Sequence, residues 1–195
     1  YVVNCKEGAQ LIYGFNYKIT KDELKKRIKD NTLDEVMNYV PVKKGDVFFI
    51  KSGTLHAIGK GILIAEIQQN SNTTYRVSDY GRLGADGKPR ELHIQKAVDV
   101  TLTDKPTVPY GDVGETNNYE YGTERQLAAC EYFKTAKLDL EGEREINTEN
   151  GFVSLLVLSG EINVKYDSGV VKAQKGGSIF IPQGLKVLLS GRAEV

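Results

Sequence analysis

The chain has 195 residues, of which 40% are hydrophobic and 27% charged, and its 26 basic residues are balanced by 26 acidic ones. A formal net charge of zero excludes a broad basic surface, so we expect no nucleic-acid partner. No apolar run approaches the roughly 18 residues of a membrane-spanning helix, and the chain does not open on a basic-then-apolar signal. Together these features predict a cytoplasmic chain without a membrane partner.

The first part of the chain combines strand and helix signals. It opens with alternating apolar and polar residues, of which "AQLIYGF" is the clearest strand pattern. Thr20 then stands three residues before Glu23, a capping box that predicts a helix over "KDELKKRIKD". Thr32 predicts the start of a second short helix, "LDEVMNYV", which ends before Pro41 because the residue preceding a proline avoids the α region. We therefore predict a small helical insert at residues 20–40.

Short strand signals dominate the rest of the chain. Between residues 42 and 80 the runs "DVFFI", "HAIG", "GILIAEIQQ" and "TTYRVSDY" are separated by Gly, Ser and Asn turns. The run "ELHIQKAVDV" predicts a short helix, and residues 103–119 predict a long surface connection because they are rich in Pro, Gly, Asp and Asn. Strand signals return at about residue 126. The predicted fold class is mainly β, with antiparallel strands in a sandwich or barrel and a small α-helical insert.

Two distant stretches of the chain repeat one pattern. Residues 41–58 read "PVKKGDVFFIKSGTLHAI" and residues 172–187 read "KAQKGGSIFIPQGLKV". Both contain Lys-Gly, a β-rich run that ends in Phe-Ile, and a glycine three residues later. Their separation is too long for a solenoid repeat and fits two copies of a β domain. At matching positions the first stretch has His56 and the second has Val187.

His56 is the residue of this pattern that could carry chemistry. Taken alone, a histidine in a strand is most simply a core side chain bonded to a backbone carbonyl, and the alternative is a metal ligand. A catalytic zinc needs about three protein ligands, and the chain has only one other histidine, His93, which we expect to be structural. The polar residues between Glu66 and Arg76 are unusually dense for consecutive strands and favour a functional site.

The residues around His56 resemble the motifs of a known family. Gly45, Lys51, Gly53 and His56 follow the spacing of the second conserved motif of the cupin superfamily, with Lys51 where proline is usual. The runs "SGTLHAIGKGILIAEIQQNSNTTYRVSDYGR" and "DGKPRELHIQKAVDV" are similar to the short bacterial class I mannose-6-phosphate isomerases. This match is nearly continuous over residues 40–100, and the resemblance covers essentially the whole chain. It is far more specific than the cupin motif alone.

The resemblance implies two cupin-like copies and one zinc per intact subunit. Residues 1–101 would be part of the catalytic cupin, 102–125 a connection, and 126–195 a degenerate second cupin that lacks the metal histidine. In the family, zinc is held by a Gln, two His and a Glu, and His56 matches the last His. The other ligands would lie upstream. The chain, which begins at Tyr1, is therefore expected to be a C-terminal fragment that binds zinc weakly or not at all and is inactive by itself.

The resemblance also implies a set of site residues. Arg76 matches the family's active-site arginine and would meet the developing oxyanion or the phosphate. Glu66 matches an acidic residue of the same pocket, where it would carry a proton or orient Arg76, unless it merely pairs with a basic neighbour. Lys88 and Arg90 would contact the phosphate of a phosphorylated hexose, unless they form a solvated turn. His56 and Arg76 are expected to project into one cavity.

The sequence is compatible with three functions. The first is an isomerase that interconverts mannose 6-phosphate and fructose 6-phosphate through a cis-enediol with the help of zinc. The second is a non-catalytic cupin module that binds a sugar. The third is a metal-dependent oxygenase, but the HxH(x)3–4E pattern typical of oxygenase cupins does not occur in the sequence. A zinc and activity measurement on the chain would separate these hypotheses.

Overall fold

The computed structural model describes residues 1–79 and 83–195 and divides the chain into two compact units, Tyr1–Asp112 and Val113–Val195. Strands make up most of the regular structure, which confirms the mainly β prediction. Within the described ranges, no helix is both long and apolar enough to cross a bilayer. The boundary between the units falls inside the segment 102–125 that the sequence predicts as a connection.

The described residues of the first unit form small antiparallel sheets and two α-helices. Its elements are β1 Val2–Cys5, β2 Gln10–Phe15, α1 Lys21–Lys29, a 3-10 helix Leu33–Val36, β3 Met37–Pro41, β4 His56–Ile58, β5 Ile62–Ile64 and α2 Ile94–Val100. In one sheet β2 lies between β3 and β4, and in the other β1 pairs with β5. These pairings bring segments that are distant in sequence beside one another.

Helix α1 begins at the predicted cap. The Oγ1 atom of Thr20 accepts a hydrogen bond from the Glu23 N–H at 3.0 Å, which satisfies one of the N–H groups that a first helical turn leaves free. The Glu23 carboxylate accepts from Arg27 Nε at 2.8 Å rather than reaching back to the cap. Leu24 is fully buried. It belongs to a core cluster with Ile12, Phe15, Ile19, Val36, Met37 and Val98. The helical insert therefore covers one face of the β2 sheet.

The second predicted helix of the insert is confirmed only in its first half, as a 3-10 helix that follows Thr32. The run "LDEVMNYV" forms one short 3-10 helix and then strand β3, which pairs with β2 through Met37 opposite Phe15 and Val40 opposite Leu11. Both Met37 and Val40 are buried. Short helices are marginal without tertiary support, so pairing with a buried strand decides the conformation.

Two predicted strands are also absent from the described residues. In "DVFFI", Val47 forms only an isolated bridge with Gly111. The described part of "TTYRVSDY", residues 73–79, is irregular, and Tyr80 lies outside the described residues. The composition of both runs favours strands, but a strand also requires a neighbouring strand at hydrogen-bonding distance, which composition does not reveal.

The second unit is built from antiparallel strands. These are β6 Thr116–Tyr119, β7 Gly122–Ala129, β8 Lys134–Asn147, β9 Val153–Leu156, β10 Ser159–Tyr166, β11 Gly169–Gln174, β12 Ser178–Ile181 and β13 Lys186–Glu194. Six strands form a sheet in the order β11-β10-β13-β8-β7-β6, and β12 pairs with β9. Val187 of β13 is 4% exposed and belongs to the apolar core of this unit. Strand β6 and the start of β7 lie within the predicted connection.

A buried threonine holds the turn before β13. The Thr148 hydroxyl donates to the Pro182 carbonyl at 2.7 Å and accepts from the Leu185 N–H at 2.8 Å. Gly184 in this turn has a φ of +87°, close to the +85° of Gly53 in the turn before β4. This left-handed conformation favours glycine. The repeated sequence pattern therefore produces the same backbone conformation at both glycines.

The substitution Thr148→Val is expected to lower the free energy of unfolding by about 2 kcal/mol, because Leu185 N–H and Pro182 O would lose a buried hydrogen-bond partner. Urea unfolding monitored by circular dichroism measures this change. The control Thr116→Val alters an exposed threonine of β6 and should change the free energy by less than about 0.5 kcal/mol. Equal losses in both variants would contradict the anchoring role of Thr148.

Candidate functional site

His56 is exposed at the start of β4. It lies directly opposite Tyr13 of β2, and opposite residues of an antiparallel pair share a face of the sheet. This is the face of Leu11 and Tyr13, whereas Ile12 packs with the helices on the other face. Tyr13 is buried, and its hydroxyl donates to the Phe49 carbonyl at 3.1 Å. The imidazole of His56 is exposed, which contradicts the interpretation of His56 as a core side chain.

An aromatic cluster packs around Tyr13 on the same sheet. The ring centroids of Tyr13 lie 5.7 Å from Phe48 and 5.4 Å from Tyr110, and Phe48 and Tyr110 are stacked at 5.3 Å. Burial raises the pKa of the Tyr13 phenol, with a smaller contribution from Tyr110. The phenol therefore stays neutral and remains a hydrogen-bond donor. Strand β2, whose Tyr13 lies opposite His56, is therefore held in place by packing between uncharged aromatic side chains.

The hydrogen bond of His56 determines which ring nitrogen is available. Its Nδ1 atom lies 2.9 Å from the Thr54 carbonyl oxygen. A carbonyl oxygen only accepts hydrogen bonds, so Nδ1 carries the proton of this bond and Nε2 keeps its lone pair in the neutral ring. Metal-binding histidines commonly donate their second nitrogen to a carbonyl or carboxylate in this way. The local geometry therefore fits His56 as one ligand of a metal through Nε2.

Glu66 follows β5 and is exposed, close to the start of β1. The Ala65 N–H donates to the Tyr1 carbonyl at 2.9 Å, and the Tyr1 ammonium donates to the Ala65 carbonyl at 3.1 Å. Burial lowers the pKa of this ammonium, and the nearby Glu66 carboxylate opposes the shift. Glu66 therefore lies near Tyr1, the residue before β1, and it is exposed.

Arg76 and Arg90 are brought together by one buried carboxylate. The Asp79 side chain is 7% exposed, and its two oxygens accept from Nε and Nη2 of Arg90, the Nε bond at 2.7 Å. The hydrogen bond to Asp79 raises the pKa of Arg90, while burial acts in the opposite direction. The Arg76 Nε atom lies 3.8 Å from Asp79 Oδ1. Two guanidinium groups thus contact the same carboxylate.

Arg76 is also held through its backbone and its guanidinium. The His93 N–H donates to the Arg76 carbonyl at 2.8 Å, and the Arg76 N–H donates to His93 Nδ1 at 3.3 Å. Arg76 Nη1 lies 3.5 Å from the Glu91 carbonyl. His93 thus has a structural role, as the sequence predicts. The Arg76 side chain is 23% exposed, so the guanidinium is oriented by these contacts but still reaches solvent.

Lys88 lies in an exposed turn. Its N–H donates to Asp86 Oδ1 at 3.1 Å, and its carbonyl accepts from the Gly84 N–H at 2.7 Å. These contacts involve only the Lys88 backbone. The phosphate-binding roles of Lys88 and Arg90 stay predictions. For Arg90, the bidentate bond to Asp79 identifies a second role, which is to hold the carboxylate beside Arg76.

Direct contacts join some of the predicted site residues and not others. Arg76 and Arg90 share Asp79, whereas the hydrogen bond of His56 stays within its own turn. In the part of the chain that the structure describes, no hydrogen bond or ion pair joins His56 to Arg76 or Glu66. The prediction that His56 and Arg76 project into one cavity thus stays a prediction.

A complete zinc site is not formed by the described residues. Residues 1–79 and 83–195 contain no group of three or more His, Cys, Asp or Glu side chains that could hold a metal. A catalytic zinc needs about three protein ligands. The residues present therefore fit one ligand, His56, and do not fit the whole site.

Asp79 is the site residue that sequence analysis missed. It lies three residues after Arg76 and eleven before Arg90. A carboxylate between two arginines along the chain is a signal for an ion pair, but such charges are usually solvated at the surface. Only its burial in the structure identifies Asp79 as the group that organises both guanidiniums.

Comparisons with known proteins agree with this fold. A family model described as "Mannose-6-phosphate isomerase, cupin domain" matches residues 123–195. Over 195 residues the chain is 39% identical to mannose-6-phosphate isomerase ManA of Bacillus subtilis, and it spans 61% of that protein's length. A crystal structure of mannose 6-phosphate isomerase from Bacillus subtilis aligns with a TM-score of 0.88 and 33% identity, covering 100% of this chain and 61% of that one.

A more distant structure carries ligands. The mannose 6-phosphate isomerase of Salmonella typhimurium, bound to fructose 6-phosphate and zinc, aligns with a TM-score of 0.58 and 19% identity, covering 89% of this chain and 47% of that one. At this identity the likeness shows the fold alone. The comparisons support the cupin fold predicted for the chain, while a second cupin copy in the first unit stays a prediction. The chain spans 61% of the length of the Bacillus subtilis relative.

Proposed function

Because the chain belongs to the family of mannose-6-phosphate isomerases, we propose that it forms part of an enzyme that interconverts mannose 6-phosphate and fructose 6-phosphate. The observation that carries this proposal is the similarity to the Bacillus subtilis isomerase along the whole chain. The relatives are longer than this chain. The activity is therefore proposed for these residues together with the part of such an isomerase that they do not span.

Arg76 is proposed to stabilise negative charge during the reaction. Loss of the C2 proton from open-chain mannose 6-phosphate gives an enediolate, and protonation of its C1 oxygen gives the cis-enediol. Loss of the proton on the C2 oxygen and addition of a proton at C1 then give fructose 6-phosphate. The enediolate carries negative charge on oxygen, and fixed cationic donors aimed at such an oxygen lower the barrier. A guanidinium stays charged at ordinary pH, and Asp79 and the Glu91 carbonyl hold that of Arg76 in place. The same group could instead bind the substrate phosphate.

Glu66 is proposed to carry the proton between the two carbons. A carboxylate can take a proton from C2 and return it to C1 if both carbons lie within hydrogen-bond reach. Glu66 is exposed and follows the last paired residues of β5, so a bound sugar could approach it. The alternative role, orienting Arg76, has no supporting contact among the described residues.

His56 is proposed to supply one nitrogen to a zinc ion whose other ligands come from outside the described residues. When bound, zinc would act as a Lewis acid on the sugar oxygens. The free Nε2 of His56 supports this role, since Nδ1 is bound to the Thr54 carbonyl. The described residues do not complete the zinc site.

A non-catalytic sugar-binding module is the second candidate function. One specific observation favours it, namely that the described residues contain no cluster of three metal-binding side chains. A module that only binds a sugar phosphate would use the guanidinium groups of Arg76 and Arg90 without a metal. Activity and metal content measured on the same samples distinguish the two functions.

The test joins this chain to the part of the Bacillus subtilis isomerase that it does not span, and we refer to this fusion protein as the chimera. We expect the 195-residue chain alone to hold less than one zinc and to show no isomerase activity. The chimera is expected to hold about one zinc per chain and to convert mannose 6-phosphate, because it supplies further ligands. Elemental analysis and a coupled assay for fructose 6-phosphate measure both quantities.

Two outcomes would contradict the proposal. Full activity of the 195-residue chain would show that His56 needs no ligands from elsewhere. A folded, zinc-loaded chimera that binds mannose 6-phosphate without converting it would favour the sugar-binding module. The Bacillus subtilis part expressed alone is the control for residual activity.

A further inference from the structure

Helix α2 connects the segment of Arg76 to the turn that carries His56. At its N-terminal end, His93 exchanges two hydrogen bonds with Arg76, one at 2.8 Å and one at 3.3 Å. Beyond its C-terminal end, the Leu102 N–H donates to the Gly53 carbonyl at 2.8 Å. The helix has seven residues and is about 10 Å long at 1.5 Å per residue. It therefore acts as a spacer between the two functional segments.

The contact between α2 and the His56 turn is close. A Cβ atom at Gly53 would lie 2.6 Å from the Val100 carbonyl oxygen, and Gly53 has a positive φ of +85°. Three residues later His56 begins β4, with its ring bonded to the Thr54 carbonyl. The position of the Gly53 turn, and with it the direction of the His56 ring, thus depends on where α2 ends.

Lys21 holds that end of the helix. Its ammonium group donates to the carbonyls of Val98, Asp99 and Thr101, the last two at 3.1 and 2.6 Å. The last carbonyls of a helix have no partner within the helix, and the negative end of the helix dipole attracts a cation. The three N–H donors of a lysine ammonium are all used here. Lys21 is the first residue of α1, so it connects the helical insert to α2.

We propose that Lys21 is a positioning residue that fixes the C-terminal turn of α2 and, through the Leu102–Gly53 hydrogen bond, the turn that carries His56. The effect on zinc and activity rests on the proposed function. The effect on the hydrogen bonds does not, because it can be measured in the 195-residue chain without metal or substrate. This gives the helical insert, which contains none of the predicted site residues, a role in the geometry of the site.

The experiment compares Lys21→Met, Lys21→Arg and Lys25→Met by amide hydrogen exchange in the 195-residue chain. The Thr54 N–H donates to the Lys51 carbonyl at 3.0 Å within the His56 turn. In Lys21→Met the amides of Leu102 and Thr54 should exchange about ten-fold faster, in line with the loss of a strong cation–helix contact. The Val47 amide, bonded to the Gly111 carbonyl at 2.8 Å in the same unit, should not change. Lys21→Arg should restore slow exchange because a guanidinium also donates to several carbonyls. Lys25→Met alters an exposed lysine of the same helix and should have no effect.

The possible outcomes separate this inference from the proposed function. Unchanged exchange at Leu102 and Thr54 in Lys21→Met would overturn the inference, as would equal acceleration at Val47, which would indicate general destabilisation. In the chimera, Lys21→Met should weaken zinc binding about ten-fold, with recovery in Lys21→Arg. An inactive chimera in which Lys21→Met still accelerates exchange selectively would contradict the isomerase proposal and leave the positioning role of Lys21 intact.

Discussion

Replacing His56 with alanine is expected to weaken zinc binding by the chimera at least about 100-fold, because loss of a ligand should exceed the 10–100-fold effect of losing a group that only orients one. Isomerase activity at limiting zinc should fall in parallel. Competition with a coloured chelator measures the affinity, and unfolding by urea checks that the variant is folded. Since His56 is exposed, its replacement leaves no buried cavity, and we expect little change in stability.

The control for this variant is His93→Asn, which removes the other histidine of the chain. His93 Nδ1 accepts from the Arg76 N–H, and an asparagine oxygen can accept a similar bond. Zinc affinity should therefore remain at the level of the unmodified chimera. Loss of zinc in His93→Asn but not in His56→Ala would show that the metal ligand has been assigned to the wrong histidine.

The substitution Arg76→Lys is expected to lower kcat/KM of the chimera for mannose 6-phosphate about 100-fold, the order of effect found when one donor to a developing oxyanion is removed. Lysine keeps the charge, but a single ammonium cannot contact Asp79 and the Glu91 carbonyl and also face a substrate in the manner of a planar guanidinium. Zinc content should be unchanged. Steady-state kinetics at saturating zinc measure the loss.

Arg192→Lys provides the matched control for an arginine-to-lysine change. The Arg192 side chain is 84% exposed and pairs with Glu141 at 3.1 Å, and exposed ion pairs of this kind contribute little to stability. Its kinetics should equal those of the unmodified chimera. If Arg76→Lys were as active as Arg192→Lys, Arg76 would have no part in catalysis, and its contact with Asp79 would be structural.

Patterns confined to a few neighbouring residues were reliable guides to the structure. The capping box at Thr20 predicts a helix start that the structure confirms through the bond from the Glu23 N–H. The spacing "ELHIQKAVDV" predicts α2, which is present at Ile94–Val100. Each of these signals depends on contacts within one or two turns of the chain, so the residues involved are close together in the sequence.

Prediction from the sequence failed for segments whose conformation depends on pairing with another strand. "LDEVMNYV" has a helical cap signal, yet Met37 and Val40 join the ladder of β2. "DVFFI" has strand composition, yet Val47 forms only a single bridge. A strand is stabilised by hydrogen bonds to another segment, and the identity of that segment is set by the fold rather than by the run itself.

The amino-acid sequence by itself determined the mainly β class, the helical insert, the repeated glycine turns and the family motif around His56, because each is a pattern of neighbouring residues. Only the tertiary structure decided that His56 is exposed opposite Tyr13, that Asp79 binds Arg90, and that Lys21 reaches the end of α2. Lys21 and Thr101 are 80 residues apart in sequence. Contacts at such separations depend on sheet register and helix packing, which no local pattern specifies.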